Sequence, residues 1–248
     1  MPKALIDAEL LVFKAMSACE YYTCWDEENH PDIWTYDCDH AEARSKLKES
    51  LIEIKELLPS HMLLMCYGDR RSFRYTVYKQ YKANRLKKAR TLPAGHPEFK
   101  KRAIADHPSV TLTGVEGDDV LGILYCEGDV IVSQDKDLLT VPGLHLRDGE
   151  LIEQTQYAAN HAFFSQVLKG DTADNYPGLK GVGTVGAKKL LANCKTEYDM
   201  WHKVLGAYEK GGHDESFALQ MARCARILRQ GEYDLETNTP NLWTPPLN

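Results

Sequence analysis

Nine carboxylates fall into five compact groups: Asp7; Asp69; Glu116, Asp118 and Asp119; Asp135 and Asp137; Asp171 and Asp174. On a helix, Glu116 and Asp119 lie three apart and share a face, and Asp171 and Asp174 do the same. In an extended turn Asp135 and Asp137 point the same way. Any one of these acids alone reads as a helix cap or loop carboxylate, and Asp118 or Asp171 would ordinarily be that. Capping explains poorly why all five groups follow a strand or open a helix. Gathered together they would repel one another and lose solvation at a cost of several kcal/mol, so cations must sit among them. Oxygen ligands without clustered His or Cys suit hard divalent ions, Mg²⁺ or Mn²⁺. Two such ions about 3.5–4 Å apart can activate a water, hold a phosphate and stabilise a leaving oxygen during in-line displacement.

Hydrophobic periodicity indicates the elements that position the acids. Residues 4–7 read as a short buried strand ending on Asp7, with a helix over 10–21 behind it. Ala43, Leu47, Leu51, Ile54 and Leu58 recur at helical spacing, and Pro59 stops that helix. The apolar run 62–67 is a second buried strand, with Asp69 just beyond it. A helix over 114–126 and a third strand over 129–133, followed by Asp135 and Asp137, repeat the pattern. Buried strands alternating with helices imply an α/β fold with a mostly parallel central sheet, in which ligands gather at the carboxyl ends of the strands. Beyond 151 the strand signals fade, and 157–168, 186–192, 197–207 and 216–228 read as helices. The chain therefore divides into an α/β domain over 1–150, with a basic segment at 70–106, and a helical region over 151–248.

The net charge of −6 argues at first against a nucleic-acid partner. Its distribution argues otherwise, because without the nine grouped acids 27 acids would face 30 bases. From Arg70 to Arg102 there are twelve basic residues against one acid, Glu98. Such a run is ordinarily a solvated face. Here it is interleaved with Tyr75, Tyr78 and Tyr81, which could stack on bases or pack beneath the charges. Gly181, Gly183 and Gly186 form a tight turn opening into a helix that carries Lys188 and Lys189, an arrangement suited to phosphate oxygens. No buried strand precedes this turn, so a dinucleotide loop is excluded. Seven cysteines without a C-x-x-C pair read as reduced thiols; a zinc site of Cys19, Cys24, Cys38 and His40 would have no familiar spacing. No apolar stretch is long enough to span a bilayer and the N-terminus lacks a signal peptide, so a cytoplasmic location is expected.

Taken jointly, three blocks resemble the signatures of the flap endonuclease and bacteriophage 5′-3′ exonuclease family. They are the stretch from Gly114 to Gly122, the stretch from Val132 to Leu138, and Lys169-Gly-Asp-Thr-Ala-Asp-Asn175 followed by the glycine turn. The resemblance runs from about Ala4 to Leu228. The region from Trp25 to Arg44, the Tyr81-Lys-Ala-Asn-Arg85 block and the Gln220-Met-Ala-Arg ending look most like the exonucleases of short-tailed phages, which trim 5′ ends of duplex DNA and remove RNA primers. The resemblance implies a PIN-like 5′-nuclease sheet with a C-terminal helix-hairpin-helix region. It implies one metal at Asp7, Asp69, Glu116, Asp118 and Asp119 and a second at Asp135, Asp137, Asp171 and Asp174. Lys82 corresponds to the family's active-site lysine, Arg85 to its phosphate-binding arginine, and Tyr81 belongs with them as a DNA contact. A K⁺ would lie on the backbone near Val182 and Val185. The segment from Lys82 to Asp106 is short and broken by Pro93, Gly95 and Pro97, unlike the helical arch that threads single strands in larger relatives. Rival readings are a structure-specific flap endonuclease, an RNA-cleaving relative of the sheet fold, and an inert DNA-binding protein.

Overall fold

A computed structural model describes residues 1–69, 71–87 and 92–247 of the chain. Arg70, Lys88 and Arg90 of the basic run lie outside the described residues. The elements in order are β1 (Lys3–Asp7), α1 (Ala8–Ser17), β2 (Glu20–Cys24), β3 (Trp34–Cys38), α2 (His40–Leu57), β4 (Met62–Tyr67) and α3 (Arg74–Val77). Next come α4 (His96–Asp106), β5 (Ser109–Thr111), α5 (Gly117–Leu124), β6 (Val130–Val132), β7 (Gly143–Arg147) and β8 (Glu150–Gln154). Helices α6 (Gln156–Lys169), α7 (Thr184–Leu191), α8 (Glu197–Lys210) and α9 (Glu215–Ala225) follow. Among the described residues, no helix is long and apolar enough to cross a membrane.

The sheet runs β5-β4-β1-β6-β7-β8, parallel throughout except for the β7–β8 hairpin at one edge. From β1 the chain builds outward to β4 and β5, then returns to add β6, β7 and β8 on the other side. The order therefore reverses beside β1, and a crevice opens at the carboxyl ends of β1 and β6. Successive side chains of β1 face opposite layers. Ile6 packs with Val12, Leu47 and Phe99 under α1, α2 and α4, while Leu5 packs with Val120, Leu121 and Ile131 under α5. Asp39 caps α2 by accepting from the amides of Ala41 and Glu42 at 2.9 Å each, and Ala43, Leu47 and Leu51 form its buried stripe. The helices after β8 enclose an aromatic core of their own, in which Trp243 packs edge-on against Trp201 and Phe163.

Two expectations change. Residues 10–21 do not form one helix: α1 ends at Ser17, and Tyr21 to Cys24 pair with Trp34 to Asp37 in an antiparallel ribbon beside the sheet. Aromatic and β-branched residues favour that pairing over a further helical turn. The division expected at 150 falls inside the β7–β8 hairpin, and Ile227, Leu228 and Tyr233 return to pack against α5 and the sheet.

That return is held by a buried ion pair. Arg74 is 3% exposed and Asp119 fully buried. The guanidinium donates to both Asp119 oxygens at 2.6 and 2.7 Å, and its Nε donates to the Cys224 carbonyl at 2.9 Å. Asp119 also accepts from the amides of Glu116 (2.9 Å) and Leu228 (3.0 Å). Gly122 on α5 lies so close to the Leu228 carbonyl that a Cβ would not fit. Arg74 is thus no part of a solvated basic face, and each oxygen of the Asp119 carboxylate already accepts two hydrogen bonds.

Removing one partner from such a pair strands the other charge in the core. Arg74→Met should lower unfolding stability by about 3–5 kcal/mol in urea titration, while Arg74→Met with Asp119→Leu should recover part of the loss. Equal stability of the single variant and the natural chain would show that the pair holds nothing together.

Candidate active site

An open cleft of ≈ 500 Å³ lies at the carboxyl end of the sheet, and Asp7, Asp69, Glu116, Asp118 and Asp135 line it together with Lys82 and Arg85. Each acid arrives there for a local reason. Asp7 ends β1 and caps α1 through the Leu10 amide at 3.1 Å. Asp69 follows β4 and accepts from the Gly114 amide at 3.1 Å. Glu116 is the N-cap of α5, with Asp118 in its first turn, where the helix dipole favours negative charge. Asp135 follows β6 and caps a 3₁₀ turn, Lys136–Thr140, by accepting from the Asp137 amide at 2.9 Å.

The electrostatics separate these acids into two kinds. Glu116 has cations beside it: although burial would raise its pKa, Arg74 and Lys82 outweigh burial and hold the carboxyl below its usual range. Asp118 is pushed well above the usual value, by burial first and then by Asp7, Asp135 and Glu116. Asp7 is likewise raised by burial, reinforced by Asp135 and Glu9 and only partly offset by the Ser133 hydroxyl at 2.6 Å and the Leu10 amide. Among the described residues no Lys or Arg forms an ion pair with Asp7, Asp118 or Asp135. Charge-dense oxygen donors crowded this way, without cationic side chains of their own, fit a hard divalent cation. Among the described residues, no three acid, His or Cys side chains already close around a single point.

Asp137, Asp171 and Asp174 form the second group. Asp137 is raised by burial, then by Asp135 and Asp171, so Asp135 stands between the two groups. Asp171 and Asp174 do not share a helix face as expected. Gly170 (φ +68°) caps the end of α6, and Asp171 bridges to Tyr176 around a tight turn in which the Asp171 carboxylate accepts from the amides of Ala173 (2.6 Å) and Asp174 (3.0 Å). Asp174 then reaches the cleft side, where Arg85 donates to it at 2.8 Å.

Lys82 lies between the groups. Its Nζ is 2.7 Å from both Glu116 oxygens and 3.6 Å from Asp174, with its backbone at φ +53°, a conformation uncommon outside glycine. Tyr81, expected to face DNA, is instead 2% exposed and belongs to the helical core. Its apolar ring is covered by neighbouring aromatics, so only the hydroxyl approaches the site. In the glycine turn, Gly181 (φ +83°) takes the left-handed conformation the turn requires, and Gly183 precedes α7. Lys188 and Lys189 are exposed, Val185 is 83% exposed and Val182 is half-buried. The first-turn amides of α7 have no partner within the helix. Sequence reasoning passed over Glu9 and His96, which also line the cleft, and Lys100, which meets Glu9 at 2.5 Å. Glu9 precedes the helix expected over 10–21 and enters the first turn only in the structure, and nothing near His96 or Lys100 tied them to α1.

The profile of the 5′-3′ exonuclease N-terminal resolvase-like domain matches residues 2–165, which include the sheet and seven of the nine grouped acids, Asp171 and Asp174 lying just beyond. The chain is 29% identical to the exodeoxyribonuclease of Enterobacteria phage T3, covering 97% of this chain and 92% of that protein. It is also 29% identical to the exonuclease of Escherichia phage T7, with 97% and 93% covered. The zinc-bound phage T5 5′-exonuclease superposes with a TM-score of 0.61 at 16% identity, covering 92% of this chain and 90% of that one, a likeness of fold. With its sheet, its cleft and most of its length accounted for in this way, the chain belongs to the 5′-3′ exonuclease family.

Proposed function

We propose that the chain is a divalent-metal-dependent exonuclease hydrolysing phosphodiester bonds from the 5′ ends of duplex DNA, and of RNA primers in RNA–DNA hybrids, to leave 5′-phosphate products. The observation that carries this reading is the Asp7, Asp118 and Asp135 cluster, which faces one open cleft without a paired cation among the described residues. Two Mg²⁺ or Mn²⁺ ions held there would supply the Lewis acidity and charge stabilisation for in-line attack of water on a phosphodiester. Asp7, Asp69, Glu116 and Asp118 are assigned to one ion, and Asp135, Asp137, Asp171 and Asp174 to the other. Asp119 supports Glu116 through its backbone amide and Arg74.

The protein's own contribution is placement. The Lys82 ammonium, shared between Glu116 and Asp174, can pass to a phosphate oxygen as the backbone enters the cleft, without leaving the site. Arg85 has about half its side chain in solvent and is the next cation outward, positioned for the neighbouring phosphate. Gly181, Gly183 and Gly186, with Lys188 and Lys189, are assigned to grip the duplex backbone regardless of base sequence, and carbonyls near Val182 and Val185 to hold K⁺. In this reading the sheet domain carries the chemistry together with Asp171 and Asp174 from the turn after α6, and the glycine turn with α7 supplies the helix-hairpin-helix contacts to DNA.

Cleavage of one labelled DNA, offered as blunt duplex and as a 5′ flap, should release mononucleotides from the duplex with Mg²⁺ and nothing with EDTA. A single product cut at the flap junction would instead make the enzyme a flap endonuclease. Asp135→Asn should cut activity by about 100-fold or more while DNA binding by gel shift persists; brisk cleavage by this variant would remove Asp135 from the metal centre. Lys82→Ala should lower kcat by about 10²–10³-fold with only a few-fold change in DNA affinity. Unaltered turnover would leave Lys82 as one more surface cation.

A further inference from the structure

Tyr81 has a hydroxyl that its packing does not require. The ring stacks on Tyr176 with centroids 6.4 Å apart and planes at 20°, and Tyr75 meets it edge-on at 5.7 Å. A phenylalanine would fill the same space. Keeping a hydroxyl in a position 2% exposed costs desolvation unless it is hydrogen-bonded. This one lies 2.8 Å from Asp174 Oδ2 and 3.1 Å from Glu116 Oε2. Those two carboxylates come from different groups of the cleft, one from the turn after α6 and one from the start of α5. A phenol has a single proton to donate, so the two acids share it, and together with the Lys82 ammonium, 2.7 Å from Glu116 and 3.6 Å from Asp174, it makes their positions depend on each other.

The surroundings hold that bridge in place. Asn175 donates to the Gln80 carbonyl at 2.6 Å, Asn84 to the Thr172 carbonyl at 2.7 Å, and the Lys82 amide to the Asp174 carbonyl at 2.8 Å. The segment containing Tyr81 is thus stitched to the acidic turn on both sides of the hydroxyl. Stacking on a DNA base would need an open ring face, and the burial of this ring leaves none.

We propose that Tyr81 is a positioning residue whose hydroxyl sets the spacing between Glu116 and Asp174, so that the two carboxylate groups form one frame for a pair of divalent cations. The proposal rests on the metal-dependent reading above. Its chemistry is that of an outer partner that orients ligand carboxylates, a role in which loss commonly weakens metal affinity by about 10–100-fold.

The test is Tyr81→Phe in the full chain, with Mn²⁺ binding measured by calorimetry without DNA, thermal unfolding measured alongside, and steady-state cleavage of blunt duplex. The expected result is Mn²⁺ affinity weakened by about 10–100-fold, an unfolding midpoint close to that of the natural chain, and a lower kcat at unchanged KM that raised Mn²⁺ largely restores. Unchanged Mn²⁺ affinity with a higher KM would overturn the proposal in favour of a DNA contact. Unchanged affinity and unchanged kinetics would leave only packing and overturn it equally. If the natural chain itself bound no Mn²⁺ and cleaved in EDTA, the metal-dependent reading would fail and this proposal with it, an outcome distinct from failure of the variant alone.

Discussion

Carboxylates brought to one edge of a parallel sheet repel one another more strongly as they leave water, and the architecture around this cleft answers that repulsion in several ways. The start of α5 offers its dipole to Glu116 and Asp118. Ser133 and the Leu10 amide each give a hydrogen bond to Asp7. Arg74, Lys82 and Arg85 neutralise Glu116, Asp119 and Asp174. Among the described residues, Asp7, Asp118 and Asp135 have no Lys or Arg ion pair, and they stand together in the cleft. The same economy explains a chain of net charge −6 in a family of nucleases: much of the negative charge is committed to one place.

The framework of the site was legible in the sequence because its signals are local. Strands β1, β4 and β6 are short apolar runs, and the acids that matter follow them within a few residues. The helix α2 announced itself by Ala43, Leu47 and Leu51, and its observed end at Leu57 lies just before Pro59. The acids of the α5 start were visible as a group, but their division of labour was not. Asp118 and Asp119 are neighbours of one chemical type, and only Arg74, distant in sequence and close in space, decides that Asp119 turns inward.

Tyr81 and Lys82 show the same limit. Both sit in a basic, aromatic run, and the run suggests one DNA-facing surface. In the fold, Arg74 pairs with Asp119 in the core, the Tyr81 ring joins the helical core, Lys82 serves the acids and Arg85 reaches solvent, so four residues of one segment do four different things. Three-residue spacing fits a helix and the Asp171–Asp174 turn alike; Gly170 and Asn175 flank the turn at positive φ, and the Asp171–Tyr176 bridge closes it. Strands β5 and β6 have only three residues each, and β7 and β8 pair at an edge. β6 was found through its hydrophobic run, whereas the others offered too little pattern.

The tie between Asp119 and the chain beyond α9 also has a consequence in time. A nascent chain emerges from its N-terminus, and Arg74 and Asp119 are available long before Cys224 and Leu228, whose backbone groups complete their bonding. Contacts so distant in sequence form late, after the entropy of closing a large loop has been overcome. The cleft of this nuclease therefore reaches its final form only after Leu228 has been made, and a chain that stops short of it lacks bonds that hold Asp119 and the start of α5 in order.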